Sequence, residues 1–173
     1  MPRNTTKRIL LVLDGIKQTN LLIDYMLQEI NRLPDYQFII RAHPALPWSS
    51  LAARYGYSLD QVPNASVSQR PLPQELKDVD LVVYRQSTVA LEVLSMGKPL
   101  VNFSPDSELS YDPLHGYSFL KWTLRPGDSL RDILDKIYGL SNEEFDAQYE
   151  KAKEFIGQYF YPVTEERVSA FRN

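Results

Sequence analysis

Two short stretches of this 173-residue sequence gather side chains suited to one kind of chemistry, the handling of a phosphate. The first is Arg85-Gln86-Ser87-Thr88, set between the apolar run Leu81-Val82-Val83-Tyr84 and a segment with helical spacing, with Glu92 one turn further on. Backbone N–H groups at a helix start are unpaired and carry about half a positive charge, so an anion is favoured there. Two adjacent hydroxyls add donors. Ser and Thr are also common N-caps with no ligand nearby, so the pair reads either as a phosphate site or as a cap. The Glu92 carboxylate could accept bonds from two ribose hydroxyls or simply face solvent. The second stretch is Arg41-Ala42-His43-Pro44. Imidazole titrates near neutrality and, as a cation or an N–H donor, stabilises a phosphate leaving group. Proline fixes the turn, so the ring points off the end of its strand. A single histidine is more often structural or exposed, and its weight here comes from pairing with Ser87 and Thr88.

That pairing depends on the elements that position the two stretches. Apolar runs at 9–13, 37–41, 81–84 and 99–103 read as strands, with a weak strand near 66–68 and a sixth near 119–124. Helical spacing appears at 21–30, 49–55, 73–78, 87–96, 129–138 and 143–159, and Thr164-Glu165-Glu166 reads as a further helix start. Strands alternating with helices imply βαβ units and a parallel sheet covered on both faces. Right-handed crossovers make this a doubly wound, Rossmann-like α/β domain of five or six strands, spanning 1–173 with a helical segment from about 142. In such sheets ligands bind outside the carboxyl ends of the strands. That rule gathers Asp14 and Gly15, Arg41 and His43, Gln69 and Arg70, Arg85 to Thr88, and Ser104 with Asp106 on one rim. Three arginines and a histidine would make that rim cationic, on a chain whose net charge is −3.

Taken in order, Arg41-Ala42-His43-Pro44, Asp80-Leu81-Val82-Val83-Tyr84, Gln86-Ser87-Thr88-Val89-Ala90-Leu91-Glu92 and Gly97-Lys98-Pro99-Leu100-Val101 resemble the carboxyl-terminal domain of GT-B glycosyltransferases. The likeness covers roughly residues 8–104. It is strongest to the branch holding capsule-polysaccharide transferases, bacterial sialyl- and polysialyltransferases, and glycerophosphate transferases of teichoic-acid synthesis. In that branch a His-Pro and a Ser-Ser or Ser-Thr pair hold the phosphate of an activated donor. The resemblance therefore implies that His43, Ser87 and Thr88 contact donor phosphate, with His43 stabilising the leaving group. It implies that Glu92 meets the ribose and that residues 69–72, Gln69 and Arg70 among them, lie near the base. Arg41 and Arg85 join the donor site by place. The expected activity is metal-independent transfer from a nucleotide-activated sugar or glycerol donor, in surface-polysaccharide synthesis. GT-B enzymes carry two Rossmann-like domains, and this chain has room for one; it begins almost directly at its first strand, as a trimmed domain or one half of a split enzyme would. A second domain or subunit would then supply the acceptor site. Leu13-Asp14-Gly15 superficially resembles the acidic-acidic-glycine motif that carries the base in sialyltransferases. That motif belongs to the other domain and Leu stands at one acidic position, so Asp14 is not assigned as the base.

Other chemistries fall away. With no cysteine there is no disulfide scaffold, thiolate zinc site, iron–sulfur cluster or thiol nucleophile. No GxGxxG follows the first strand and no GxxxxGK[ST] occurs. Asp78-Val79-Asp80 has the form of a metal-binding DxD, yet it precedes its strand and so belongs to the opposite rim. His43 and His115 are 72 residues apart, a poor start for a zinc site. His115 reads as an exposed loop residue or a contact to bound sugar. No cofactor is expected. Nineteen Lys+Arg against 22 Asp+Glu disfavour a grip on nucleic acid. The longest apolar run, Ile9 to Leu13, is far short of the ~20 residues of a membrane span and too short for a signal peptide. A cytoplasmic location follows as an expectation. Two rival readings stand beside the transferase: a non-catalytic nucleotide- or phosphate-binding regulatory module, and half of a nucleotide-sugar epimerase of related two-domain fold.

Overall fold

The computed structural model describes residues 7–105, 110–160 and Ser169. Asp106 and the helix start at Thr164 lie outside the described residues. Six strands form one sheet: β1 (Lys7–Val12), β2 (Tyr36–Arg41), β3 (Ala65–Val67), β4 (Leu81–Tyr84), β5 (Leu100–Phe103) and β6 (Lys121–Leu124). Every neighbouring pair is parallel, and the spatial order is β3-β2-β1-β4-β5-β6. The helices are α1 (Thr19–Ile30), α2 (Trp48–Tyr55), α3 (Leu72–Asp78), α4 (Val89–Ser95), α5 (Leu130–Tyr138) and α6 (Asn142–Gly157). None of them is long and apolar enough to cross a membrane.

The strand sequences explain the two-layer cover. In a strand, successive side chains face opposite sides, so a run apolar throughout must be covered twice. Ile9 and Leu11 of β1, Phe38 and Ile40 of β2, and Leu81 and Val83 of β4 point to one face, against Leu22, Ile23, Met26 and Ile30 of α1, Leu51 of α2 and Ile133 and Leu134 of α5. Leu10, Val12, Val82, Tyr84 and Leu100 point to the other, against Leu76 of α3, Val93 and Leu94 of α4, and Ala152 and Ile156 of α6. Each fully buried Leu or Ile contributes roughly 1.5–3 kcal/mol by leaving water. The edge strands are short, three residues in β3 and four in β6, which limits edge-to-edge pairing.

Helix boundaries follow local chemistry. Ser141 and Glu144 form a capping box at the start of α6, each side chain bonding the other's backbone N–H. After α4, Gly97 takes a positive φ of 67° and lies so close to Tyr149 of α6 that any Cβ would run into the ring. Gly97 thus both stops α4 and lets α6 pack down on it. The amino end of the sheet is sealed by Asn64, whose buried amide donates to the carbonyls of Ile30, Leu33 and Tyr36 at 3.2, 2.9 and 3.1 Å.

Candidate functional site

The strand order reverses at β1, which has β2 on one side and β4 on the other. Val12 is in register with both Arg41 and Tyr84, so the three strands end level. Beyond them α1 and α4 leave towards opposite faces, which opens the crevice where ligands of doubly wound sheets bind. His43 stands two residues past the end of β2, and Ser87 three past the end of β4. At about 4.8 Å per strand, their strands lie about 10 Å apart on the same edge.

The β2–α2 connection is a tight turn in which the Leu46 N–H donates to the His43 carbonyl at 2.9 Å. Within it the Ala45 N–H donates to His43 Nδ1 at 3.1 Å. Because Nδ1 accepts, the ring's proton sits on Nε2, and Nε2–H is the donor left for a ligand. The ring also lies against Gly15 of the β1–α1 loop: a Cβ at Gly15 would stand 2.7 Å from Nδ1 and 3.0 Å from Cε1. The imidazole is therefore held from two sides while remaining exposed.

Across the reversal, Arg85 at the end of β4 and Asp14 at the end of β1 form an ion pair, Nη1 to Oδ2 at 3.0 Å, with only 2% and 6% of their side chains exposed. Sequence reading placed both on the rim without pairing them. Asn102, buried in β5, donates its side-chain amide to the Arg85 carbonyl at 2.8 Å. A crevice of about 10 Å³, the room of one water, opens beside them and is lined by Arg85, Gln86, Asn102 and Ser104.

The other arginines are also committed. Arg70 pairs with Asp78 at 2.6 Å and lies 3.9 Å from Glu75. That hydrogen bond and the nearby guanidinium hold the Asp78 carboxyl below the usual carboxylate range. Arg41 donates to the Arg70 carbonyl at 2.7 Å, which ties the end of β2 to the β3–α3 loop, where Gln69 is exposed. The rim is thus less cationic than the sequence suggests: Arg85 is answered by Asp14, 71 residues away in the chain, and the Arg70 guanidinium reaches along α3 to Asp78 at the far end of that helix.

Helix α4 starts at Val89, two residues later than the periodicity predicts, so Ser87 and Thr88 stand ahead of it. Ser87 Oγ accepts from the Val89 N–H at 3.3 Å, a weak turn bond. Thr88 occupies the cap position in helical conformation and makes no side-chain cap bond. Thr88 is exposed, and so is Glu92 in the first turn. At the opposite end of the sheet, Asp80 accepts from the Arg8 N–H at 2.7 Å, which sets the Asp78-Val79-Asp80 triplet at the amino edge. His115 is exposed in the β5–β6 connection.

Sequence reading missed the anchor of that connection. Asp112 accepts from the Tyr84 hydroxyl at 2.8 Å and the Leu114 N–H at 3.0 Å, and it pairs with Lys121, whose Nζ also donates to the Leu114 carbonyl at 2.6 Å. Burial and the Asp112 charge push the Tyr84 phenol well above its ordinary value. The Asp112-Pro113 dipeptide is a turn signal and was the available clue.

No family model and no curated protein matches the sequence. Solved structures do. HepE from Anabaena, crystallised with UDP and glucose, is 17% identical and superposes with a TM-score of 0.59 over 90% of this chain and 45% of its own. TarM is 21% identical, with a TM-score of 0.58 over 98% of this chain and 35% of its own. The carboxyl-terminal domain of the group 1 glycosyltransferase LpcC from Francisella tularensis is 12% identical, with a TM-score of 0.56 over 91% of this chain and 87% of that domain. The chain spans less than half the length of TarM and HepE, and nearly all of the isolated LpcC domain. An all-parallel six-stranded sheet in the order β3-β2-β1-β4-β5-β6, aligned over most of its length with one half of these enzymes, has the fold of a carboxyl-terminal GT-B glycosyltransferase domain.

Proposed function

We propose that the chain is the donor-binding half of a metal-independent glycosyl- or glycerophosphotransferase that uses a nucleotide-activated donor in surface-polysaccharide synthesis. The observation that carries this reading is the geometry of His43, an exposed imidazole fixed by Gly15 and by the Ala45 N–H, with Nε2–H as its outward donor, on the same edge as Ser87 and Thr88. HepE, of the same fold, was solved with UDP and glucose, which supports a nucleotide sugar as the ligand class.

In this reading the donor's phosphate lies over the end of β1. His43 Nε2–H and the Ser87 and Thr88 hydroxyls bond its oxygens and stabilise the charge that develops as the nucleotide leaves. Glu92 receives the ribose hydroxyls. Gln69 and Arg70 lie near the base, and Arg41 steadies their loop through the Arg70 carbonyl. Arg85 serves through its pairing with Asp14. Charge-assisted hydrogen bonds contribute roughly 1.5–3 kcal/mol each. Three of them are compatible with a complex in the micromolar to millimolar range, about −4 to −8 kcal/mol. The acceptor and the general base come from a second Rossmann-like domain or subunit, so the chain alone binds donor and turns over poorly.

A thermal-shift screen against CMP, CDP, UDP and ADP tests the reading. At 100 times the dissociation constant a ligand adds about 2.7 kcal/mol. For a chain of this length that is roughly 5–10 °C. His43→Ala and Ser87→Ala should each cut the shift to about half or less. A folded protein that responds to none of the four nucleotides refutes the transferase reading.

A further inference from the structure

We infer that Asn102 is a positioning residue for the phosphate edge: through Arg85 and Asp14 it locks the loop carrying Ser87 and Thr88 to the loop on which His43 rests. The inference rests on the reading above for its functional meaning, but its physical content is independent of any ligand. β5 reads Leu100-Val101-Asn102-Phe103 and is buried along its whole length. An amide there is costly unless bonded, and a β-branched residue would suit the strand better. The Asn102 donor reaches past the ladder to the Arg85 carbonyl, at the point where the chain leaves β4 for Ser87. The Arg85 guanidinium then reaches Asp14. Asp14 Oδ1 accepts from the Ile16 N–H at 3.4 Å, which closes the turn containing Gly15, and Gly15 is the surface beneath the His43 ring. Four consecutive contacts thus run from β5 through β4 and β1 to β2 and join the two halves of the edge. Spatial continuity alone does not establish coupling, so the test must read it directly.

Asn102 and His43 belong to strands three positions apart, about 14 Å at the usual strand spacing, too far for direct contact. The experiment follows the His43 imidazole resonances and the Ser87 and Thr88 amide resonances by NMR, with His115→Gln assigning the two histidines. In Asn102→Leu, both the His43 and the Ser87/Thr88 signals should move. In Asp14→Asn, which cuts the middle link, His43 should move, and adding Asn102→Leu should produce no further change at His43. Affinity for UDP or CMP should fall about tenfold in Asn102→Leu. A folded Asn102→Leu protein whose His43 resonances coincide with wild type overturns the inference. If leucine prevents folding, Asn102→Ser, which also cannot reach the Arg85 carbonyl, gives the same reading. If wild type binds neither nucleotide while the resonances move as described, the coupling stands and the donor reading falls.

Discussion

Replacing Gly15 by alanine separates the stability of the fold from the competence of its edge. Gly15 does not adopt a positive φ, so its backbone accepts alanine without strain. Removing a glycine from a loop stabilises by about 0.4–1 kcal/mol through the unfolded chain. Against this, the new Cβ would lie 2.7 Å from His43 Nδ1, and the ring must retreat by about 0.7 Å to reach the 3.4 Å of ordinary contact. That movement disturbs the 3.1 Å bond from the Ala45 N–H, worth about 0.5–1.5 kcal/mol. The two effects nearly cancel, and urea unfolding should place Gly15→Ala within about 1 kcal/mol of wild type. Binding should not be spared. Loss of one charge-assisted bond, roughly 1.5–3 kcal/mol, weakens nucleotide affinity about ten- to a hundredfold. Calorimetric titration with UDP and CMP reads this directly. In a His43→Ala background the same substitution should have no further effect on affinity. A Gly15→Ala protein that binds nucleotide as wild type does, with unmoved His43 resonances, would refute the claim that the imidazole is held by this contact and acts from this position.

Two further outcomes concern buried groups. Asp112→Asn leaves the Lys121 ammonium buried without its carboxylate, and breaking such a pair costs about 3–5 kcal/mol. Urea unfolding should show that loss, and Lys121→Met added to it should recover most of it; a change below 1 kcal/mol would contradict the buried pairing. Burial, with the carboxylates of Glu29 and Asp128, raises the Tyr25 phenol to about 12, and burial alone raises Tyr117 to about 12. Unfolded tyrosine ionises near 10, so the stability these groups confer is complete below pH 10 and declines as pH rises from 10 towards 12. The share of tyrosinate absorbance that disappears in Tyr25→Phe or Tyr117→Phe should therefore rise together with the loss of far-ultraviolet circular dichroism, not ahead of it.

The sheet was readable from sequence because its evidence is local. Four apolar runs of four or five residues, each flanked by turn residues, announce strands buried on both sides, and Ser141 with Glu144 announces the start of α6. The same locality explains the misplacements. Lys7 and Arg8 extend β1 beyond its apolar run, and no periodicity reveals that Lys7 is accommodated 4.8 and 4.6 Å above the rings of Tyr36 and Tyr138. The start of α4 falls later than Ser87 because Ser87 turns its hydroxyl to the Val89 N–H instead of entering the helix. In the site, the rim itself was legible, since strand ends in a doubly wound sheet share an edge. Pairings within the rim were not. Asp14 and Arg85 meet only because β1 and β4 are neighbours despite 71 intervening residues, and Asn102 finds the Arg85 carbonyl only through β5. Once the strand order is known, an acid and a base at the ends of adjacent strands become an obvious pair.

The guanidinium partners at this rim bear on how it would discriminate. With Arg85 committed to Asp14 and Arg70 to Asp78, little long-range field is left to pull anions in from solution. Recognition then depends on short, directional donors, and occupancy should change little with ionic strength, in contrast to surfaces that hold polyanions by counterion release. Neutralising Asp14 would unmask the Arg85 cation and, on the proposed reading, open the edge to sulfate and phosphate alike.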